Sequence, residues 1–169
     1  MTGRGVGQIL GRPGDPRLWE RHIHDARAYV ELAEQANGPI PTPVPATWTW
    51  GDALGELDRR RPDARIVNLE TSITVNDQCW PGKGIHYRMH PANIAVLKAA
   101  RIDVCVLANN HVLDFGRAGL AETLDTLRAA GIATAGAGAD LESARRSAVI
   151  DLGPRGRVLV AAACAASSG

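Results

Sequence analysis

The sequence predicts an α/β fold in which helices flank a mixed sheet. Between residues 64 and 135, apolar runs of strand length alternate with helical segments in the order strand, helix, strand, helix, strand. The run 102–107 is apolar nearly throughout, which is typical of a strand covered on both faces. No segment repeats at a period of about 20–50 residues, which argues against a repeat architecture.

The first third of the chain is predicted to hold a loop followed by two helices. Residues 1–16 are rich in Gly, Pro and Arg, a composition typical of loops. Apolar residues then recur at helical spacing over 16–34, with Asp15 as the expected N-cap and Gly38 at the end of the helix. A short second helix is expected over 50–60.

The remaining elements continue the alternation of strands and helices. Strands are predicted at 64–69, 102–107, 132–135, 148–152 and 157–163. Helices are predicted at 91–100, 118–130 and 140–146. The last two strands are expected to pair across the turn 153–156, and a loop is expected between Glu70 and Pro91.

Composition and charge argue against several classes of function. A net charge of +1 provides no basic surplus for nucleic acid or an anionic membrane surface. The three cysteines have neither the pairing of a disulfide framework nor the spacing of metal ligands. No segment has the roughly 20 apolar residues of a membrane span, and residues 1–5 lack the apolar core of a signal peptide. The chain is therefore expected to be soluble and, by default, cytoplasmic.

Polar side chains cluster after two of the predicted strands. The first strand end carries Asn68 and Glu70, and the second carries Asn109, Asn110, His111 and Asp114. In open α/β sheets, ligands bind beyond the carboxyl ends of the strands. If the two strands are parallel neighbours, these side chains are expected to lie within reach of a shared metal ion.

The second cluster contains residues that suit metal binding and general acid catalysis. Asn oxygen and His nitrogen are neutral ligands that suit Mn, Fe, Co or Zn. A carboxylate three residues after His111 can accept its ring N–H, which fixes the tautomer and supports a protonated imidazole as general acid. The alternative is a polar turn in which Asn caps the chain and Asp114 starts the next helix. Glu70, with the following Thr71, could likewise begin an ordinary turn.

The predicted loop between Trp80 and Arg88 supplies two candidate anion-binding side chains. Glycines flank Lys83 and would let the backbone approach an anion closely. Lys83 and Arg88 could together hold an anionic substrate. The alternative is a surface turn whose basic side chains are solvated.

Three segments resemble the CapA (poly-gamma-glutamate capsule synthesis) family. Residues 109–116 resemble its A-N-N-H-x-x-D-x-G segment, and residues 67–71 resemble its V-N-L-E-T segment. Residues 80–85 and 88–91 resemble its W-P-x-K-G-I and R-x-x-P stretches. The similarity extends over nearly the whole chain from Gly3 onward, and the spacing of three separate segments makes it specific.

The resemblance implies a fold, a chemistry and a role. That family is similar to the calcineurin-like metallophosphoesterases, which implies a partial αββα sandwich. By the same resemblance Asn110 is a metal ligand, His111 the general acid and Asp114 its orienting group. Glu70 would hold or bridge a divalent metal such as Mn, Fe or Zn, and Asn68 would be a further participant. An anionic small molecule or polymer is the implied substrate, and capsule-synthesis machinery the implied partner.

Departures from the family pattern lead to a further expectation. The family's first strand, with a Gly-Asp-Val stretch, has no counterpart before Met1, and its later histidine ligands have none before Gly169. We therefore expect residues 1–169 to be a single CapA-type domain that is truncated at both ends, binds metal incompletely and has impaired phosphoesterase activity. Two alternatives are a non-catalytic accessory protein for synthesis or export of an anionic capsule polymer, and a partly folded remnant with an unpaired strand edge.

Overall fold

The protein is described by a computed structural model covering residues 2–165. The helices are α1 (Arg4–Ile9), α2 (Arg27–Asn37), α3 (Ala53–Arg60), α4 (Ala95–Ala99), α5 (Gly116–Ala129) and α6 (Leu141–Arg145). The strands are β1 (Ile66–Asn68), β2 (Ser72–Ile73), β3 (Arg88–Met89), β4 (Val104–Val106), β5 (Ala133–Ala135), β6 (Ala148–Asp151) and β7 (Arg157–Val160). Short 3-10 turns lie at Trp48–Trp50, Pro91–Ile94 and Gly153–Arg155. The predicted α/β class is confirmed.

The central sheet is parallel, with β4 between β1 and β5. Cys105 at its centre is in register with Val67 on one side and Thr134 on the other. Val104 and Cys105 point to opposite faces of the sheet and are both fully buried, which confirms the prediction of a doubly covered strand. Burial raises the pKa of the Cys105 thiol to about 12, so this cysteine is a core residue.

Two small sheets accompany the central one. β2 and β3 form a short parallel pair that buries Ile73 and Met89 completely. β6 and β7 are antiparallel and close across the 3-10 turn after Asp151, as predicted for the last two strands. Within residues 2–165, no helix has the length and apolar character needed to cross a membrane.

The predicted loop over 1–16 is wrong where residues 4–9 form α1. This helix packs on α2 and buries Ile9, and the packing overrides the weak helix propensity of its two glycines. The preceding Gly3 lies against β3, where a Cβ would clash with the backbone oxygen of Arg88. Met1 of the predicted loop lies outside the described residues.

The predicted helix over 16–34 is wrong in its first half. Residues 17–25 instead form a turn closed by bonds from Leu18 N–H to the His24 oxygen and from Ala26 N–H to the Pro16 oxygen. Asp15 is not an N-cap, because its carboxylate accepts the N–H of Arg17 at 3.0 Å in a local turn. The helix begins at Arg27 and ends at Gly38, where φ is +85°, so its predicted end is confirmed.

The remaining sequence predictions hold within a few residues, with one omission. The expected loop from Glu70 to Pro91 contains β2 and β3, which are too short to produce an alternating pattern. The predicted helix over 91–100 divides into a 3-10 turn and α4. The predicted strand 157–163 ends at Val160.

Candidate functional site

The polar residues after β1 and β4 meet at the carboxyl edge of the central sheet. Because the two strands are parallel neighbours, Asn68 and Asn109 come together. Asn109 Nδ2 donates to Asn68 Oδ1 at 3.0 Å and to the backbone oxygen of Leu69 at 3.1 Å. The amide of Asn109 therefore joins the two strand ends.

The turn after β4 is also organised by Asn109. Its Oδ1 accepts the backbone N–H of His111 at 3.0 Å, and the N–H of Asp114 donates to the His111 oxygen at 3.3 Å. Asn109 thus has the capping function of the polar-turn alternative. The polar-turn alternative and the general-acid role of His111 are compatible. The capping bond from Asn109 fixes the backbone of His111 and so its direction.

Asp114 is the buried anchor of the site, with no exposed surface. Its Oδ2 accepts His111 Nδ1–H at 2.7 Å and the backbone N–H of Tyr87 at 2.6 Å. Its Oδ1 makes no hydrogen bond within residues 2–165 and is compensated by the ion pair with the ammonium of Lys83, 2.6 Å away. Lys83 also donates to the backbone oxygen of Asn110. Two donors and a cation around one carboxylate are the surroundings of an anion.

His111 is held on several sides. Its ring stacks on Tyr87, with centroids 4.0 Å apart and planes inclined by 29°. Its backbone oxygen accepts from the hydroxyl of Ser72 at 3.2 Å. On the opposite side of the ring from Asp114, Nε2 lies 3.7 Å from Oε1 of Glu70, whose side chain is 42% exposed. The imidazole therefore lies between a buried and a solvent-facing carboxylate.

The two candidate anion-binding residues contact different partners. Lys83 is paired with Asp114, as described above. Arg88 donates to the backbone oxygen of Asn76 at 2.8 Å, and its guanidinium lies over the rings of Trp19 and Phe115. Burial lowers the pKa of Arg88. Arg88 thus lies outside the His111 cluster.

The donors fit part of a metal shell and do not complete one. Glu70, whose Oε1 lies 3.7 Å from Nε2 of His111, and the exposed side chains of Asn68 and Asn110 are oxygen donors beside the imidazole. Asp114 is already occupied by Lys83, His111 and Tyr87. Over residues 2–165, no three His, Cys, Asp or Glu side chains are placed to hold one ion together.

Sequence reasoning missed Tyr87 and Ser72. Both lie in the predicted loop, where β2 and β3 are two residues long and give no alternating pattern. Tyr87 binds Asp114 through its backbone and His111 through its ring. The one feature of the sequence that could have identified Tyr87 is its position between Lys83 and Arg88.

Comparison with known proteins gives one family over the whole chain. The model for "Bacterial capsule synthesis protein PGA_cap" matches residues 1–169. Two proteins of Mycobacterium tuberculosis, from strains CDC 1551 and H37Rv, are similar to the chain, each at 52% identity over 169 residues. Both are described as a "probable polyglutamine synthesis accessory protein". The chain is covered completely, and it spans 44% of the length of each relative.

Proposed function

The chain belongs to the bacterial capsule synthesis protein family PGA_cap, and on that premise we propose that it carries the acid centre of a phosphoester-type hydrolase in capsule polymer synthesis. The observation that supports hydrolysis is the buried His111–Asp114 pair, joined at 2.7 Å, with Glu70 at the other ring nitrogen. A buried carboxylate on Nδ1 orients the imidazole and supports its protonated form, which leaves Nε2 on the solvent-facing side to give up a proton.

Each residue has a defined task in this proposal. Asp114 receives Nδ1–H of His111, fixes the tautomer and stabilises the imidazolium. Lys83 and the Tyr87 N–H hold that carboxylate in place, and the Tyr87 ring covers one face of the imidazole. His111 then gives its Nε2 proton to the leaving oxygen as the ester bond to that oxygen breaks.

A divalent metal is part of the proposal for the whole protein. Glu70, Asn68 and Asn110 would contribute some of its ligands, and it would activate the attacking water. Because the donors in residues 2–165 do not complete a shell, no step above depends on the metal. The substrate is proposed to be an anionic small molecule or polymer.

Hydrolysis of an aryl phosphate by the purified chain, with and without added Mn²⁺, tests the enzymatic role. His111→Asn is expected to lower kcat by about 100-fold or more, the usual contribution of a general acid, with the amount of bound metal unchanged. His24→Asn is the matched control, because His24 is exposed and distant in sequence from the cluster. Equal turnover by His111→Asn and the unaltered chain contradicts the proposal.

A non-catalytic accessory role is the second candidate. It is supported by the description of the two M. tuberculosis relatives as probable accessory proteins. The same substitution separates the two roles when it is introduced in a bacterium that makes the polymer. Loss of polymer together with loss of hydrolysis supports the enzyme, and normal polymer with His111→Asn supports the accessory role.

A further inference from the structure

An ion pair beside the His111 cluster has no task in the mechanism described above. Arg4, at the start of α1, pairs with Glu20, and their side chains are only 17% and 12% exposed. The guanidinium reaches both oxygens of the carboxylate, at 2.5 and 2.6 Å. Because desolvation offsets much of the attraction in a buried ion pair, stability alone is a weak reason for this arrangement.

Tyr29 of α2 completes the group around Arg4. Its hydroxyl donates to Glu20 at 2.9 Å and accepts a hydrogen bond from Arg4. Burial and the bond to Glu20 raise the pKa of Tyr29, so the hydroxyl keeps the proton that it donates. The guanidinium also lies over the Tyr29 ring, with Cζ 4.6 Å from the centroid. Side chains from two separate segments therefore hold the guanidinium of Arg4 in one position.

The backbone of Arg4 is in an unusual conformation. Its φ is +54°, in the left-handed region that residues other than glycine rarely adopt. Strain of this kind persists only where surrounding contacts impose it, and it is concentrated at functional sites. Glu20 and Tyr29 supply such contacts to the side chain of Arg4. A strained backbone and a fully engaged side chain both point to a required position for this guanidinium.

The ring of Tyr87 connects this group to the proposed acid centre. Cζ of Arg4 lies over that ring, 5.3 Å from its centroid. The imidazole of His111 stacks on the same ring, with centroids 4.0 Å apart. An imidazole stacked this closely fills one face of Tyr87, so Arg4 occupies the other. The attraction between the cation and the ring face therefore acts on the same ring that supports His111.

We propose that Arg4 is a positioning residue for His111 and acts through the ring of Tyr87. The inference rests on the general-acid role proposed for His111, and it concerns the direction of Nε2. Asp114 holds the imidazole at Nδ1, and this one bond leaves the ring plane free to tilt. The Tyr87 ring limits the tilt, and Arg4 keeps the Tyr87 ring in place. A reactive group needs such support, because productive geometry tolerates errors of only about 10–20°.

NMR of the histidine rings in the purified chain tests the positioning without any need for turnover. The sequence has 5 histidines, so the ring signals are few, and the spectrum of His111→Asn identifies those of His111. Protons stacked over an aromatic ring are shifted upfield. The difference in the His111 signals between the unaltered chain and Tyr87→Leu gives the full size of that shift. Tyr87→Leu keeps the backbone N–H that binds Asp114.

Arg4→Met combined with Glu20→Gln removes both charges and leaves neither ion buried without its partner. This double variant is expected to lose at least half of the upfield shift of His111. Arg4→Lys keeps a cation for the Tyr87 ring and is expected to retain more of the shift than the double variant. Glu20→Gln alone keeps the shape of the group while weakening its hold on Arg4, and it is expected to lose a smaller part.

Arg27→Met combined with Asp25→Asn is the matched control. These two residues also form an arginine–carboxylate pair next to α2, but their side chains are 65% and 41% exposed. The control is expected to leave the His111 signals unchanged.

A full upfield shift of His111 in the double variant overturns the proposal, and if that variant does not fold, a full shift in Glu20→Gln does so. An equal loss in Arg4→Lys and the double variant also overturns it, because the cation would then not be what holds the ring. The signals of His86, which lies edge-on to Trp19 and Phe115, report general loosening. If they change as much as those of His111, Arg4 supports the whole region and the proposal is wrong. Equal turnover by His111→Asn would refute the acid role and leave these ring measurements unaffected, so the two failures are distinguishable.

Discussion

At the sheet edge, Asp114 accepts from His111 and Tyr87 and is paired with Lys83. A cavity of about 140 Å³ lies on the other side of Tyr87, bordered by α1, the segment 14–19 and the residues around β3. There Arg88 lies 3.5 Å from the carboxylate of Asp15, and the buried Nδ1 of His86 makes no hydrogen bond within residues 2–165. The two regions meet at residues 86–88 and differ in how closely their charged groups are paired, at 2.6 Å for Lys83 and Asp114 and at 3.5 Å for Arg88 and Asp15. A closely paired cluster can position a reactive group, whereas the cavity holds a buried cation whose carboxylate partner is farther away.

If the sheet-edge cluster is a unit, removing its anchor has the largest effect on stability. Asp114→Ala leaves Lys83 and His111 without their carboxylate, and it is expected to lower the free energy of unfolding by about 3 kcal/mol. Urea denaturation measures the change. Asp125→Ala is the control, because Asp125 is 69% exposed and its pairing with Arg128 contributes about 0.5 kcal/mol or less. A loss below about 1 kcal/mol for Asp114→Ala would mean that the cluster is not a unit.

Substitutions of two consecutive asparagines in the turn after β4 compare a side chain that joins two strands with one that is exposed. Asn109→Ala removes the contacts to Asn68 and to the Leu69 oxygen, and it is expected to cost about 2 kcal/mol. Asn110→Ala truncates an exposed side chain and should change stability by less than about 0.5 kcal/mol. Equal costs for the two variants would contradict the assignment of Asn109 as the link between β1 and β4. The measurement is again urea denaturation, at one pH and salt concentration.

The sheet edge and the cavity also differ in how far the sequence could predict them. The strand ends at Asn68 and Asn109 were predictable, because β1 and β4 are marked by apolar runs and parallel neighbours bring their carboxyl ends together. The His111–Asp114 contact follows from a spacing of three residues in one turn. These features depend on local pattern and on a general rule of topology.

The cavity region was not predictable by the same means. Its walls come from α1, from the turn over 17–25 and from β3, which are distant in sequence and meet through tertiary packing. Leu18 and Ala26 are spaced as on a helix. Both are instead buried by a turn whose two ends are joined by backbone hydrogen bonds. Tyr87 carried no periodic signal, because it precedes β3 and that strand is two residues long. Tertiary contacts overrode local propensity in each case.

Two buried histidines give the smallest expected effect and the most direct test of the contrast. His86 is 4% exposed and His111 is 6% exposed, so burial alone predicts similar costs of substitution. His86→Phe keeps the edge-on packing with Trp19 and Phe115, removes the unpartnered nitrogen and frees one oxygen of the half-exposed Trp80 to bind water. It is expected to cost less than about 1 kcal/mol.

His111→Phe, the matched variant, deprives the buried Asp114 of a donor and is expected to cost about 2 kcal/mol or more. Thermal and urea unfolding of the pair measure the difference. If His86→Phe is the more damaging of the two, the unpartnered nitrogen of His86 has a partner in solution, and the cavity is as well compensated as the sheet edge. If the order is as expected, the polar contact that Asp114 makes with His111 stabilises the fold more than the polar contacts of His86 do.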